Sequence, residues 1–224
     1  MKQQAFAPWA EPVPDAPYPL SALDVLARRD DGWRYELAEG RLARMTPTGL
    51  EHSDVVGSLY RALYTFVSSR QLGTVTLPET GYVISQPGKP DTVLAPDLAF
   101  VAAGRLPPRG ARDRKRFLAV APDLVVEVVS PHQFHPEMGE KAHLWLEAGV
   151  RLLWMVWPDA QAIDVWRPSQ PDSPIQTLQQ SDTLDGLDVL PGFTYPVSDD
   201  FVCPPSSSST EAITSAGEMA LRQA

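Results

Sequence analysis

The run DLVVEVV at residues 123–129 restricts the fold more than any other segment. Leu124, Val125, Val126, Val128 and Val129 are apolar at both odd and even positions, so a strand built from them has no face to leave in water. Such a strand belongs at the centre of a sheet covered on both sides, and this places the chain among folds that mix α and β. Glu127 is the exception within the run. A carboxylate buried without a partner is strongly unfavourable, so the residue that breaks the pattern calls for a cation, a hydrogen-bond donor or an opening to water.

The flanking segments supply layers for that strand. His52, Val55, Val56, Leu59, Leu63, Phe66 and Val67 recur at helical spacing and predict an amphipathic helix of about 18 residues, ended by Gly73. Met138, Ala142, Trp145 and Leu146 form a second stripe between Glu137 and Ala148, with Gly149 as its C-cap. Ser21 and Asp24 are placed to cap a short helix carrying Leu23, Leu26 and Ala27 on one face. TVTL, GYVIS and DLAFV (97–101) read as further strands. WRYEL and RLARM pair across AEG, where Gly40 supplies a permissive backbone, and RLLWMVW and AIDVWR pair across Pro158-Asp159-Ala160. The expected architecture is therefore mixed α/β, a central mixed sheet flanked by helices and extended by β-hairpins.

With 224 residues, 43% of them hydrophobic, the chain suits one domain. Five prolines between Pro8 and Pro19 predict an extended arm at 1–19 outside the core. The domain is expected at 20–203, and a Ser-rich tail at 204–224 with a weak helix near 212–222. Cys203 is the sole cysteine, which excludes an intrachain disulfide and a cysteine-based zinc site and agrees with a reducing cytoplasm. No apolar run approaches the roughly 20 residues of a membrane span, so no membrane partner is expected.

Glu127 has a candidate companion in Asp97, which opens the apolar strand of LAPDLAFV. If the two strands are neighbours, both carboxylates converge on one point and can hold a hard divalent cation, Mg²⁺ or Mn²⁺, through oxygen. Lys141 lies one helical turn from both Met138 and Trp145, on the flank of the stripe, where its ammonium can reach the two acids. A metal, a positive group and a buried site together suit hydrolysis of a phosphodiester. The net charge of −9 repels polyanions, so any contact with nucleic acid must be local. GRLPPRGARDRKRF, between the two acid-bearing strands, holds Arg105, Arg109, Arg112, Arg114, Lys115 and Arg116 against Asp113 alone and is the expected phosphate-binding loop. A competing zinc reading would use His132, His135 and His143 with Glu137 and Glu140.

The order PD, then E inside VVEVVSP, then a lysine in the next helix resembles the Uma-type restriction-endonuclease family of bacteria, a branch of the PD-(D/E)XK nuclease superfamily. The resemblance runs from YELAEGRLARMTP through the EHSDVV helix, PETGYVI, APDLAFV, PDLVVEVVSP and AGVRLLWMVWPDAQAIDVWRP to LPGFTYPV. It implies a restriction-endonuclease-like fold and a Mg²⁺- or Mn²⁺-dependent endonuclease acting on DNA in the cytoplasm. Asp97 and Glu127 would be the two acids and Lys141 a lysine that has moved into the helix, since Val129 stands where E-x-K would place it. His52 and Glu79 would be auxiliary groups in the same cleft, with Glu36 more distant in an exposed hairpin. Gln133 departs from the family pattern, SPHQ standing here where SPSD is usual. The superfamily's frequent dimers, together with aromatic surface expected on the WMVWPDAQAIDVW hairpin, point to a homodimer. The alternative is an inactive member that keeps the fold as a binding or assembly module.

Overall fold

Every residue from Leu124 to Val128 is buried, because this strand lies inside a sheet with a layer on each face. The structure, a computed structural model, describes residues 9–13, 15–28, 31–108, 110, 116–131, 133 and 135–201. Residues 1–8, Arg109, Arg112, Arg114, Lys115, His132, Cys203 and the tail at 204–224 lie outside the described residues. In chain order the elements are β1 (Glu11–Pro12), α1 (Ala22–Leu26), β2 (Arg34–Ala38), β3 (Arg41–Met45), α2 (Leu50–Ser69), β4 (Gly73–Thr76), β5 (Tyr82–Val83) and β6 (Val93–Leu94). They continue with β7 (Leu98–Ala102), β8 (Leu124–Val128), α3 (His135–Glu147), β9 (Leu152–Trp157), β10 (Ala162–Trp166), β11 (Gln176–Leu178), β12 (Thr183–Asp185) and β13 (Thr194–Pro196).

The main sheet has the order β11-β10-β9-β8-β7-β4. Its β8–β9 pair is parallel, joined through α3, while β7 runs antiparallel to β8. Side-chain alternation sorts this sheet into two faces. Leu124, Val126 and Val128 pack with Val55, Leu59 and Leu63 of α2. Val125 and Val129 pack with Met138, Ala142 and Trp145 of α3. A second sheet, β1-β3-β2-β6-β5, sends Ala43, Tyr82 and Leu94 into the α3-side core. The mixed α/β architecture with hairpins is thus the predicted one.

The β2–β3 hairpin closes through Glu39 and Gly40, both at positive φ (46° and 79°), between the paired residues Ala38 and Arg41. A two-residue turn of this kind follows the natural strand twist. Several expectations are corrected. The capping box of Ser21 and Asp24 forms, but α1 buries Val25 against Leu37 and Leu42, leaving Leu23 and Leu26 exposed. Five residues make little more than one turn, so only one apolar side chain can face inward. Gly73 does not end α2, which closes at Arg70; it opens β4 opposite Ala102, where a Cβ would collide with the Val101 carbonyl. The arm expected outside the core contributes β1, an edge strand on β3, and the buried Trp9. Finally, Trp154, Trp157 and Trp166 of the β9–β10 hairpin are buried within the chain, so the aromatic surface expected there for a partner is already covered.

Candidate active site

β7 and β8 bring the two acids together. Leu98 pairs with Val126 and Ala99 with Val125, and this register carried one residue past the ladder sets Asp97 across from Glu127. Asp97 shares parity with Ala99 and Val101, and Glu127 with Val125 and Val129, so both belong to the α3 face. Opposed residues in antiparallel strands have Cβ atoms about 5 Å apart. The amide of Val128 donates to Asp97 Oδ2 (2.8 Å), which ties the carboxylate to the neighbouring strand. His52, from the first turn of α2, holds Asp97 Oδ1 through Nε2 at 3.0 Å, while its buried Nδ1 has no partner among the described residues.

Glu127 is met from above by α3. Lys141 Nζ donates to its carboxylate at 3.0 Å and Trp145 Nε1 donates to Oε1 at 2.8 Å. Residues 141 and 145 are four apart, so one helix face delivers both donors to one acid. Burial pushes Glu127 up to about 7, a rise reinforced by Asp97 and Glu36 and opposed by Lys141 and the Trp145 hydrogen bond. Burial alone would lower Lys141, but the charges of Glu127 and Glu36 win and hold it above the ordinary lysine value.

Glu36 is the residue that sequence reasoning undervalued. It was expected in an exposed hairpin, yet it is 1% exposed. Its Oε1 lies 3.2 Å from Lys141 Nζ and accepts from the amide of Ala95, and its Oε2 accepts from Trp9 Nε1 at 2.9 Å. The signal available was parity: in RYELA, Glu36 sits where the hairpin packs onto the main sheet, and only the second sheet's docking reveals that. Trp9 could not have been found, because five prolines around it mark a segment without periodicity. Gln133 accepts from the Ser130 amide and donates to the Trp9 carbonyl, fastening the loop after β8 to this segment.

The structure therefore gathers Asp97, Glu127, Lys141, His52, Glu36 and Trp9, with Glu79 at the rim, around a cleft of about 570 Å³. Three carboxylates face one ammonium, so the cluster is short of positive charge. Among the described residues no group of three or more His, Cys, Asp or Glu side chains is arranged to hold a metal by itself. A hard cation bound by one or two carboxylates and completed by water or phosphate oxygens does not need such a group, and the all-oxygen donor set of Asp97 and Glu127 fits that kind of ion. Of the histidine set, the described His135 and His143 do not converge. His135 stacks on Trp157 and His143 pairs with Asp172, and eight residues of helix separate the two by about 12 Å. In the basic loop, Arg105 is committed to the buried Asp123 at 2.7 Å, whereas Arg116 is exposed.

Residues 20–198 match the model of the family Uma2, described as "Putative restriction endonuclease". Among solved structures, the chain is similar to a "putative nuclease belonging to DUF820" from Anabaena variabilis ATCC 29413. The two are 19% identical, with a TM-score of 0.67, over 82% of this chain and 98% of the other. At that identity the likeness is one of fold, and it establishes the restriction-endonuclease-like architecture. No curated protein matches the chain. No helix among the described residues is long and apolar enough to cross a membrane.

Proposed function

The chain belongs to the Uma2 family, and from that premise we propose that it is a metal-dependent endonuclease hydrolysing phosphodiester bonds in DNA. One observation carries the reading: two acids on adjacent strands, set opposite one another on one sheet face, with a buried lysine 3.0 Å from one of them at the floor of a cleft. Asp97 and Glu127 would hold Mg²⁺ or Mn²⁺, which would activate a water and neutralise charge developing on the phosphate. Lys141, kept protonated by two carboxylates, serves as a donor and a positive charge, not as a base. Glu36 and Trp9 fix where that ammonium points, and His52 orients Asp97. Glu79 at the rim faces the approaching substrate.

The test is a nuclease assay on single-stranded, linear duplex and supercoiled DNA with Mn²⁺ and with Mg²⁺, comparing the native protein with Asp97→Ala and Glu127→Ala. Metal-dependent cleavage lost in both variants is expected; equal activity in all three removes the assignment. A second reading, a nuclease fold kept as a binding or assembly module, is favoured by one feature. Each carboxylate oxygen of Glu36, Asp97 and Glu127 already has a donor within the chain. Calorimetry separates the two, because a catalytic centre binds Mn²⁺ in a manner lost on Glu127→Gln and a module does not bind it.

A further inference from the structure

The acids that equip this cleft also repel its substrate. Glu36, Glu79, Asp97 and Glu127 all line it, and Lys141 lies buried between two of them. A phosphodiester entering such a site needs a cation nearer the mouth. Three guanidinium groups line the cleft, those of Arg28, Arg34 and Arg44. Arg28 is 3.8 Å from Asp31 and lies over the Tyr35 ring. Arg44 is paired with Glu11 and lies over the Trp33 ring. The Arg34 guanidinium has neither an ion pair, a hydrogen bond nor a ring contact among the described residues.

The position of Arg34 is equally specific. It opens β2 two residues before Glu36, so both side chains belong to one face of the strand, about 6.6 Å apart along it. It is half-buried. A second hollow, next to the main cleft, is also lined by Arg34, and the residues common to both hollows include Asp97, His52 and Glu79. An uncommitted cation thus stands beside the proposed catalytic acids, where the two hollows adjoin.

We propose that Arg34 grips a phosphate next to the scissile one and so sets the path of the DNA strand across Asp97. The inference rests on the nuclease reading. A guanidinium fork takes two non-bridging oxygens at once, and this fixes the strand's direction as well as its charge. Arg34 would act at the cleft itself, alongside any contact made by the basic loop, of which Arg105 is committed to Asp123.

The experiment measures binding of a fluorescent DNA duplex to the full chain by anisotropy, in Ca²⁺ buffer and across a salt series. Arg34→Ala is expected to weaken binding at least about tenfold and to lower the salt slope by about 1. Arg34→Lys should restore the slope without the full affinity. Arg61→Ala, on the exposed face of α2 and outside both hollows, should bind as the native protein does. Mn²⁺ calorimetry and the melting temperature should be the same in all variants. Native-like binding and salt slope in Arg34→Ala overturn the inference and leave the nuclease reading standing. Failure of the native protein to bind DNA at any salt removes that reading, and this inference with it.

Discussion

Two buried carboxylates in this molecule are both pushed up to about 7 by burial, and they differ in everything else. Glu127 lies on the α3 face of the main sheet, receives donors from Lys141 and Trp145, shares its surroundings with Asp97 and Glu36, and opens onto a cleft. Asp200 lies in the segment packed against α2, accepts one hydrogen bond from Tyr195, and leaves Oδ2 buried without a partner among the described residues. A perturbed acid is therefore not a functional site by itself. Convergence of further charges, and access for a substrate, distinguish the first from the second.

Cleavage should break the symmetry between them most sharply. Glu127→Gln and Asp97→Ala are expected to lower metal-dependent DNA cleavage by about a hundred- to a thousandfold, while Asp200→Asn leaves it within about twofold. Initial rates on supercoiled DNA with Mn²⁺ measure this directly. An Asp200→Asn enzyme as inactive as Glu127→Gln would mean that burial alone had been mistaken for function.

Next in size is the cost of removing the cation. Lys141→Met leaves Glu127 and Glu36 facing one another inside the protein with their positive partner gone. About 3–5 kcal/mol of stability should be lost, read as a lower urea midpoint. The triple change Lys141→Met with Glu36→Gln and Glu127→Gln should recover most of it, since no charge is then stranded.

The pH dependence sharpens the comparison from the side of Asp200. Its folded pKa of about 7 stands above the ordinary value of 3.8, so the folded state holds the proton more tightly than the unfolded one. Stability must then fall as pH rises between those two values and stay low above them. Relative to Asp200→Asn, the native protein should lose up to about 4 kcal/mol across that window. Melting temperatures of both proteins from pH 4 to 8 give the slope; parallel curves would show that Asp200 does not carry it.

Strand and helix periodicity made most of this fold legible. The apolar run around Glu127 located the central strand, and the spacing of Met138, Lys141 and Trp145 put an amino group and an indole on one helical face. What it could not show was the docking of one sheet on another. Glu36 and Arg34 lie on a hairpin whose alternation looks half-solvated, and only the packing of Ala43, Tyr82 and Leu94 against the α3-side core turns that face inward. Trp9 was further out of reach, because it precedes an edge strand of only two residues, and such a segment has no period to read.

Those two indoles supply the smallest expected effect, and a direct comparison of a legible residue with an illegible one. Trp145 donates to Glu127 from a helix the sequence predicts, and Trp9 donates to Glu36 from a segment it does not. Phenylalanine at either position keeps most of the packing and removes one charge-assisted hydrogen bond, a loss of about 1–3 kcal/mol. Trp145 is wholly buried and Trp9 is 6% exposed, so water can replace the lost donor more readily at Glu36. Trp145→Phe should therefore lower the urea midpoint more than Trp9→Phe does. The reverse order would show that the amino-terminal segment holds the site together more strongly than α3 does.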